Sequence, residues 1–555
     1  MEKTSKIDLS ADRLISIAAD AIEDHNYITA LKMLNKNAVL KGNDEDSFML
    51  YAEAFDDMGL YEKCVNGWFK YIDYAEDLAD FAEAYEGLAI SFMNMGQESF
   101  AAYYYNKLLM ETNVELTTEN RQEIINSFLS AEKKPLRFAY PPKLADYTQE
   151  IENGISYMRS NDYDMAIEEF SKVDEGNDKY LAARNYIAMC QIICDNCEQA
   201  EEECRSILRR NPADVQALTT LAAVKSQQKQ SEQAIKLAER LLALDAQSPD
   251  DVYKIATVCC ENKMHAQAYE LFKKLENELP YDFSILFFKA VSAYNSGKIQ
   301  ESLLAFDKLL TIYPNAITAD YWKMKVDEYA KLAGEERKEL EYFYRLPRDV
   351  SQTNLEFMSA FAHLTDKMSK KLCENADIDS CVRWCFDEGD GNNPYELRLL
   401  GAACAVKAEM NDTVRDILLD AFLPDGIKME TLNELVQRNG GGEYGIVVCN
   451  LYRRLTLLPL TIGRTKRKTF LRAYGMAFSR FAMLSENYGE LLNTAATNLY
   501  FKLECEGRLE EARSVPVLAA AIIRCSQIKE SGLTEDNMLS FFGADKKKVE
   551  ALLGE

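Results

Sequence analysis

Histidine is scarce. The 555 residues contain only His25, His265 and His363, far apart and each within helical sequence. That placement supplies no pair for proton transfer or metal ligation. No Gly-x-Ser-x-Gly and no phosphate-loop glycine run occurs, and the carboxylates fall at spacings typical of solvated helix faces. The chain is therefore not expected to be an enzyme or to carry a cofactor. Proline and glycine are also few, 12 and 24, which suits an all-helical chain. No run of 18 apolar residues exists, so no membrane span is expected, and Met1–Asp20 reads as an ordinary amphipathic start rather than a signal peptide. Positive charge is in deficit: 64 basic residues face 90 acidic ones, a net −26. That balance disfavours general nucleic-acid binding and keeps an extended array soluble. The 14 cysteines form no short disulfide framework and most sit inside helical patterns, as reduced thiols of a cytoplasmic protein do.

What is present is a repeat. Tyr147–Ala316 divides without gaps into five frames of 34 residues, beginning at Tyr147, Leu181, Val215, Pro249 and Phe283. The eighth position reads Gly154, Ala188, Ala222, Ala256, Ala290; the twentieth reads Ala166, Ala200, Ala234, Ala268, Ser302. The twenty-fourth reads Phe170, Cys204, Ala238, Phe272, Phe306, and Pro212, Pro280 and Pro314 stand at the thirty-second. Small residues at eight and twenty let two antiparallel helices approach closely. The residue at twenty-four fills the gap between pairs, and proline stops the second helix. One pair cannot bury its own apolar face, so the pairs must stack. At these residues the sequence resembles the tetratricopeptide repeat family. The resemblance implies an all-α, right-handed superhelix whose concave face binds a partner protein or peptide.

Weaker frames begin at Ala11 (Ala18, Ala30), Glu45 (Ala52, Cys64, Trp68) and Ala82 (Ala89, Ala101, Tyr105). This arm is markedly acidic. Glu119–Glu132 reads as one more helix, and the three prolines of Lys133–Pro142 mark a joint that Phe138 and Tyr140 would pin. Ile317–Tyr344 reads as a long helical stretch opening a decayed continuation of the array that ends near Pro459, in which Gly401 and Cys404 repeat the small-residue contact. Five helical runs close the chain: Phe470–Leu484, Asn487–Glu504, Val515–Lys529, Thr534–Phe541 and Asp545–Leu553. Their order, with Gly507, Ala512-Arg513-Ser514 and the helix Val517–Ile523, resembles the cyclin box of the transcription factor IIB family. The family's zinc ribbon and second cyclin repeat are absent. The resemblance implies a five-helix docking module for protein or nucleic acid. The expected organisation is a degenerate array over 1–115, a joint over 116–146, five regular repeats over 147–316, decayed repeats over 317–460 and a basic cyclin-like domain over 461–555.

Two candidate surfaces follow. In the repeat family, positions two, five, nine and twelve of each first helix line the groove. Here they supply Asn185, Met189, Ile192, Thr219, Ser226, Tyr253, Thr257, Phe287, Val291 and Tyr294. This semi-apolar set lacks the basic clamp with which chaperone-binding members hold a peptide carboxylate; an extended or helical peptide with apolar anchors fits it better. The second surface is basic: Arg453, Arg454, Arg464, Lys466, Arg467, Lys468 and Arg472 occur with no intervening acid, and Lys546, Lys547 and Lys548 open the last helix. Its partner is an acidic protein, the chain's own acidic repeats or nucleic acid. Cys190, Cys194, Cys197 and Cys204 could hold zinc by composition. Cys204 occupies the inter-pair packing position, however, and closing a tetrahedral site would distort the hairpin, so no metal is expected. Gly440–Gly445 formally matches G-x-G-x-x-G but follows a helix, and reads as a C-cap and hinge. The chain is thus read as a protein-interaction scaffold, with a transcription-linked regulator that touches nucleic acid through its last module as the alternative.

Overall fold

A computed structural model of the chain describes residues 10–76, 78–111, 147–244, 246, 248–332, 337–373, 378–389, 393–485, 487–528 and 534–554. The helix expected over Glu119–Glu132 and the joint with Phe138 and Tyr140 lie outside these residues. The chain forms two compact units, one of residues 132–345 and one of residues 1–131 with 346–555.

In the unit of residues 132–345, every 34-residue frame becomes a helix pair. The pairs are Thr148–Arg159 with Tyr163–Ser171, Tyr180–Ile193 with Cys197–Arg210, Val215–Gln227 with Ser231–Leu242, Pro249–Glu261 with His265–Glu278, and Phe283–Asn295 with Ile299–Ile312. The alanines at positions eight and twenty are fully buried, as is Ser302. At Gly154 a Cβ would stand 2.4 Å from a ring carbon of Phe170, so that pair closes only because the side chain is missing. Phe170, Phe272 and Phe306 fill position twenty-four at 1% exposure or less.

The turn inside each pair has one conformation. Position fifteen is left-handed in all five frames: Asn161 (φ 61), Asp195 (φ 63), Lys229 (φ 59), Lys263 (φ 56) and Gly297 (φ 85). The next residue donates its N–H back to the last turn of the first helix, for example Gln230 to the Lys225 carbonyl and Met264 to the Cys259 carbonyl, both at 2.8 Å. This is the Schellman closure that reverses a helical chain within a few residues. Aspartates then start several helices: Asp162, Asp214 and Asp282 accept the N–H groups of Met165, Ala217 and Ile285.

The same device identifies pairs in the other unit. His25, Gly59 and Gly96 are left-handed at position fifteen of the frames from Ala11, Glu45 and Ala82. Glu409 (φ 60) holds that position in a further pair, Tyr395–Lys407 with Asn411–Leu419, where Ala402, Val414 and Leu418 are buried. The five C-terminal helices also form: Arg467–Phe481, Tyr488–Cys505, Val515–Ser526, Glu535–Phe542 and Lys546–Leu553. Thr534 and Asp545 cap the last two through the N–H groups of Asn537 and Lys548. One apolar core runs from Met358 through Ile427, Leu455 and Tyr474 to Leu553.

Two elements differ from expectation. The helix from Ile317 ends at Tyr329, and Lys338–Arg345 is neither helix nor strand, with bends at Tyr342, Phe343 and Arg345. Gly442–Val448 is a strand (β1), paired antiparallel with Leu451–Leu457 (β2). Cys449 and Asn450, both at positive φ, form the two-residue turn that a right-twisted hairpin needs. The glycine run is therefore the entry to a hairpin, the one sheet among the described residues, in an otherwise helical chain.

A lysine in the left-handed region carries a Cβ penalty that glycine does not. Lys229→Gly is expected to raise the stability of its unit by about 1 kcal/mol, and Gly297→Ala to lower it by a similar amount. Denaturant midpoints of the full chain check both.

Candidate functional site

The residues expected to line an open groove fall into two groups. Met189, Ile192, Thr219, Ser226, Tyr253 and Thr257 are half-exposed on the first helices of their pairs. Phe287 (1%), Val291 (1%) and Tyr294 (6%) are not open, and the chain's own Lys338–Arg345 lies against Phe287 and Tyr294. Asn185 is also withdrawn. It is 9% exposed and donates to Asp214 Oδ1 at 3.2 Å, which ties it to the cap of the next pair.

The covering segment is held through its main chain. Asn295 Nδ2 donates to the Leu340 carbonyl, and the Leu340 N–H donates to Asn295 Oδ1, both at 2.9 Å. Tyr294 donates its hydroxyl to the Lys338 carbonyl at 3.2 Å, and Trp322 Nε1 donates to the Arg345 carbonyl at 3.0 Å. Tyr344 meets Phe283 and Phe287 edge-on, with centroids 4.9 and 5.0 Å apart. Tyr342 stacks on His265 and lies 2.8 Å from its Nδ1, while Glu339 pairs with Lys263 at 2.6 Å. Asn295, at position thirteen, and the aromatic segment escaped the sequence reading. The signal was there: Leu340, Tyr342 and Tyr344 alternate with Glu341, Phe343 and Arg345, the period of a strand, not a helix.

The basic residues do not form one face. Arg454 points into the chain's own acidic arm and donates to the carbonyls of Asp73 at 3.0 Å and Ala75 at 3.3 Å. Asp73 itself is 3% exposed; it accepts from the Tyr452 hydroxyl at 2.8 Å and pairs with Arg415 at 3.0 Å. A Cβ on Gly445 would reach 1.9 Å from its Oδ1, so β1 passes here only as glycine. Arg453 lines a cleft of about 480 Å³ with Tyr85, Lys107, Glu111 and Glu490. Lys466 pairs with Glu510 and Lys546 with Glu535, and Arg467 donates to the Ile462 carbonyl. Arg464, Lys468, Arg472, Lys547 and Lys548 are exposed.

Of the clustered cysteines, Cys194 is exposed and Cys197 partly buried. Cys190 and Cys204 are fully buried, and burial pushes their thiols up to about 11 and about 12, away from the thiolate a metal needs. No group of three or more metal-ligating side chains occurs among the described residues, and no helix among them is long and apolar enough to cross a membrane.

Two outcomes are expected. Asp73→Ala removes a buried acceptor of a hydrogen bond and an ion pair, and should cost about 2 kcal/mol; an unchanged denaturant midpoint would refute that role. Burial holds the His265 imidazole below its ordinary 6.5, opposed by Glu339 and aided by Lys263. The folded state thus favours the neutral ring. This contribution to stability is fully present above pH 6.5 and is lost as the pH falls from 6.5 through the lower folded value. An NMR titration of His265 should show a midpoint below 6.5 that moves back up when Leu340→Ala and Tyr342→Ala uncover the ring.

Residues 227–309 match the family described as anaphase-promoting complex, cyclosome, subunit 3. No curated protein matches the chain. Among solved structures, yeast Tom70 aligns at 13% identity over 96% of this chain and 95% of that one, with a TM-score of 0.28. The human IFIT1 dimer with m7Gppp-AAAA aligns at 15% over 95% and 97%, with a TM-score of 0.28. YrrB, a TPR protein with an unusual peptide-binding site, aligns at 16% over 32% and 92%, with a TM-score of 0.25. At such scores the superpositions establish neither a shared overall arrangement nor a shared ligand. The helix pairs are of the tetratricopeptide type on their own register, small-residue contacts and turn geometry, together with the family match within 227–309.

Proposed function

We propose that the chain is a protein-interaction scaffold that takes an extended partner segment along the wall of first helices in residues 147–316. One observation carries this reading: the last part of that wall already holds a non-helical stretch of polypeptide by its backbone, through Asn295 at Leu340. Extended chain presents unpaired N–H and C=O groups to such a clamp, and its alternate side chains face the wall. The earlier part offers Met189, Ile192, Thr219, Ser226, Tyr253 and Thr257, half-exposed and largely uncharged. Apolar anchors on a partner would gain burial there without stranding a charge.

The alternative, nucleic-acid contact through a cyclin-type C-terminal module, rests on Arg464, Lys468 and Arg472, which are spaced four apart and exposed. Arg454 is withdrawn from such a face by its bonds to the acidic arm. The interaction reading uses a built main-chain clamp and is the one adopted.

A photo-crosslinking residue placed at Met189 or Ile192 of the full chain should label a co-purified polypeptide, whereas one at Lys236, on an exposed second-helix face, should not. Equal labelling from both faces would overturn the assignment of the wall.

A further inference from the structure

The segment Lys338–Arg345 makes the contacts of a bound peptide while being part of the chain. Its alternate residues face the wall: Leu340 is 3% exposed and Tyr342 and Tyr344 are half-buried, whereas Phe343 between them is 62% exposed. Recognition divides cleanly. The carbonyls of Lys338, Leu340 and Arg345 and the N–H of Leu340 are bonded to Tyr294, Asn295 and Trp322; these bonds do not depend on the segment's own side chains. Specificity comes from the side chains. Lys263 takes the acid at Glu339; His265 and Phe288 take the ring of Tyr342; Phe283 and Phe287 take that of Tyr344. The occupant is also lightly held. Its tyrosines are only partly covered, its charged residues face solvent, and no helix or sheet ladder fixes its backbone. Low local burial of this kind marks segments that detach before the elements beneath them.

We infer that this part of the wall is a site for a partner's linear, non-helical segment of the pattern acidic–apolar–x–Tyr–x–Tyr, and that Lys338–Arg345 is its tethered competitor. The inference rests on the reading of the wall as a peptide-binding surface. A tether keeps its segment at a high effective concentration, so a free peptide of equal intrinsic affinity binds poorly until the tethered copy is weakened.

The probe is a fluorescein-labelled octapeptide with the sequence of Lys338–Arg345, titrated by anisotropy against the full chain. Leu340→Ala, Tyr342→Ala and Tyr344→Ala together are expected to tighten its binding by about tenfold or more. Asn295→Ala in that background should remove the gain, and a scrambled peptide should show none. A triple variant with wild-type helical circular dichroism that binds the octapeptide no better than wild type overturns the inference. If the triple variant does not fold, Tyr342→Ala alone decides: a gain supports the tethered competitor and no change overturns it. Crosslinking from Met189 and Ile192 does not use this site. Its persistence alongside a failed titration would sink only the competitor, and its loss would sink the scaffold reading itself.

Discussion

The fold depends on one backbone constraint. After each first helix the chain must reverse within a few residues, and it does so by placing position fifteen in the left-handed region. In the five regular frames the reversal sets the second helix against the first with only Ala, Gly or Ser at positions eight and twenty. Turn and contact are coupled: a different turn would shift the register, and a larger side chain would pry the helices apart. That the chain keeps Asn, Asp, Lys, His or Glu at most of these turns, at a conformational cost glycine would avoid, shows how strongly the packing on either side dictates the conformation.

Each unit then uses its helix faces differently. In residues 132–345 the first helices present a wall whose later part is covered by the chain's own non-helical segment, seated by main-chain bonds and tyrosine rings. In the other unit the acidic arm is joined to the hairpin and to the helices beside it. Asp73 is central to that junction, and Asn66, Lys63 and Lys70 bond to Asp420, Glu388 and Asp416 around it. Much of the positive charge that stands out along Tyr452–Arg480 is spent on such internal partners. Burial of Asp73 beside Tyr452 and Arg415 explains why a strand carrying Gly445, with no side chain, passes there.

Much of the helical layout was legible because its causes are local and periodic. Small residues recur every 34 positions, and Thr534 and Asp545 announce their own helix starts. The non-helical segment and the hairpin were harder. Leu340-Glu341-Tyr342-Phe343-Tyr344 is short, follows a true helix and carries no breaker until Pro347, so its period of two was absorbed into the helical reading. The glycine run pointed to a turn, but strand pairing is decided by residues on both sides of Cys449-Asn450 and by the arm that receives them. Among the residues expected to line a groove, Met189 and Tyr253 stand half-exposed on their first helices. Whether Phe287 or Tyr294 is open depends on a segment more than forty residues away in sequence.

By itself the sequence determined the pairing of helices and their register, because those follow from residue size and spacing within a few turns. Only the tertiary structure decided which parts of the wall are open, where Arg454 and Asp73 are satisfied, and that the chain supplies its own occupant. Those outcomes depend on long-range competition among surfaces of comparable chemistry, and no local periodicity encodes the winner.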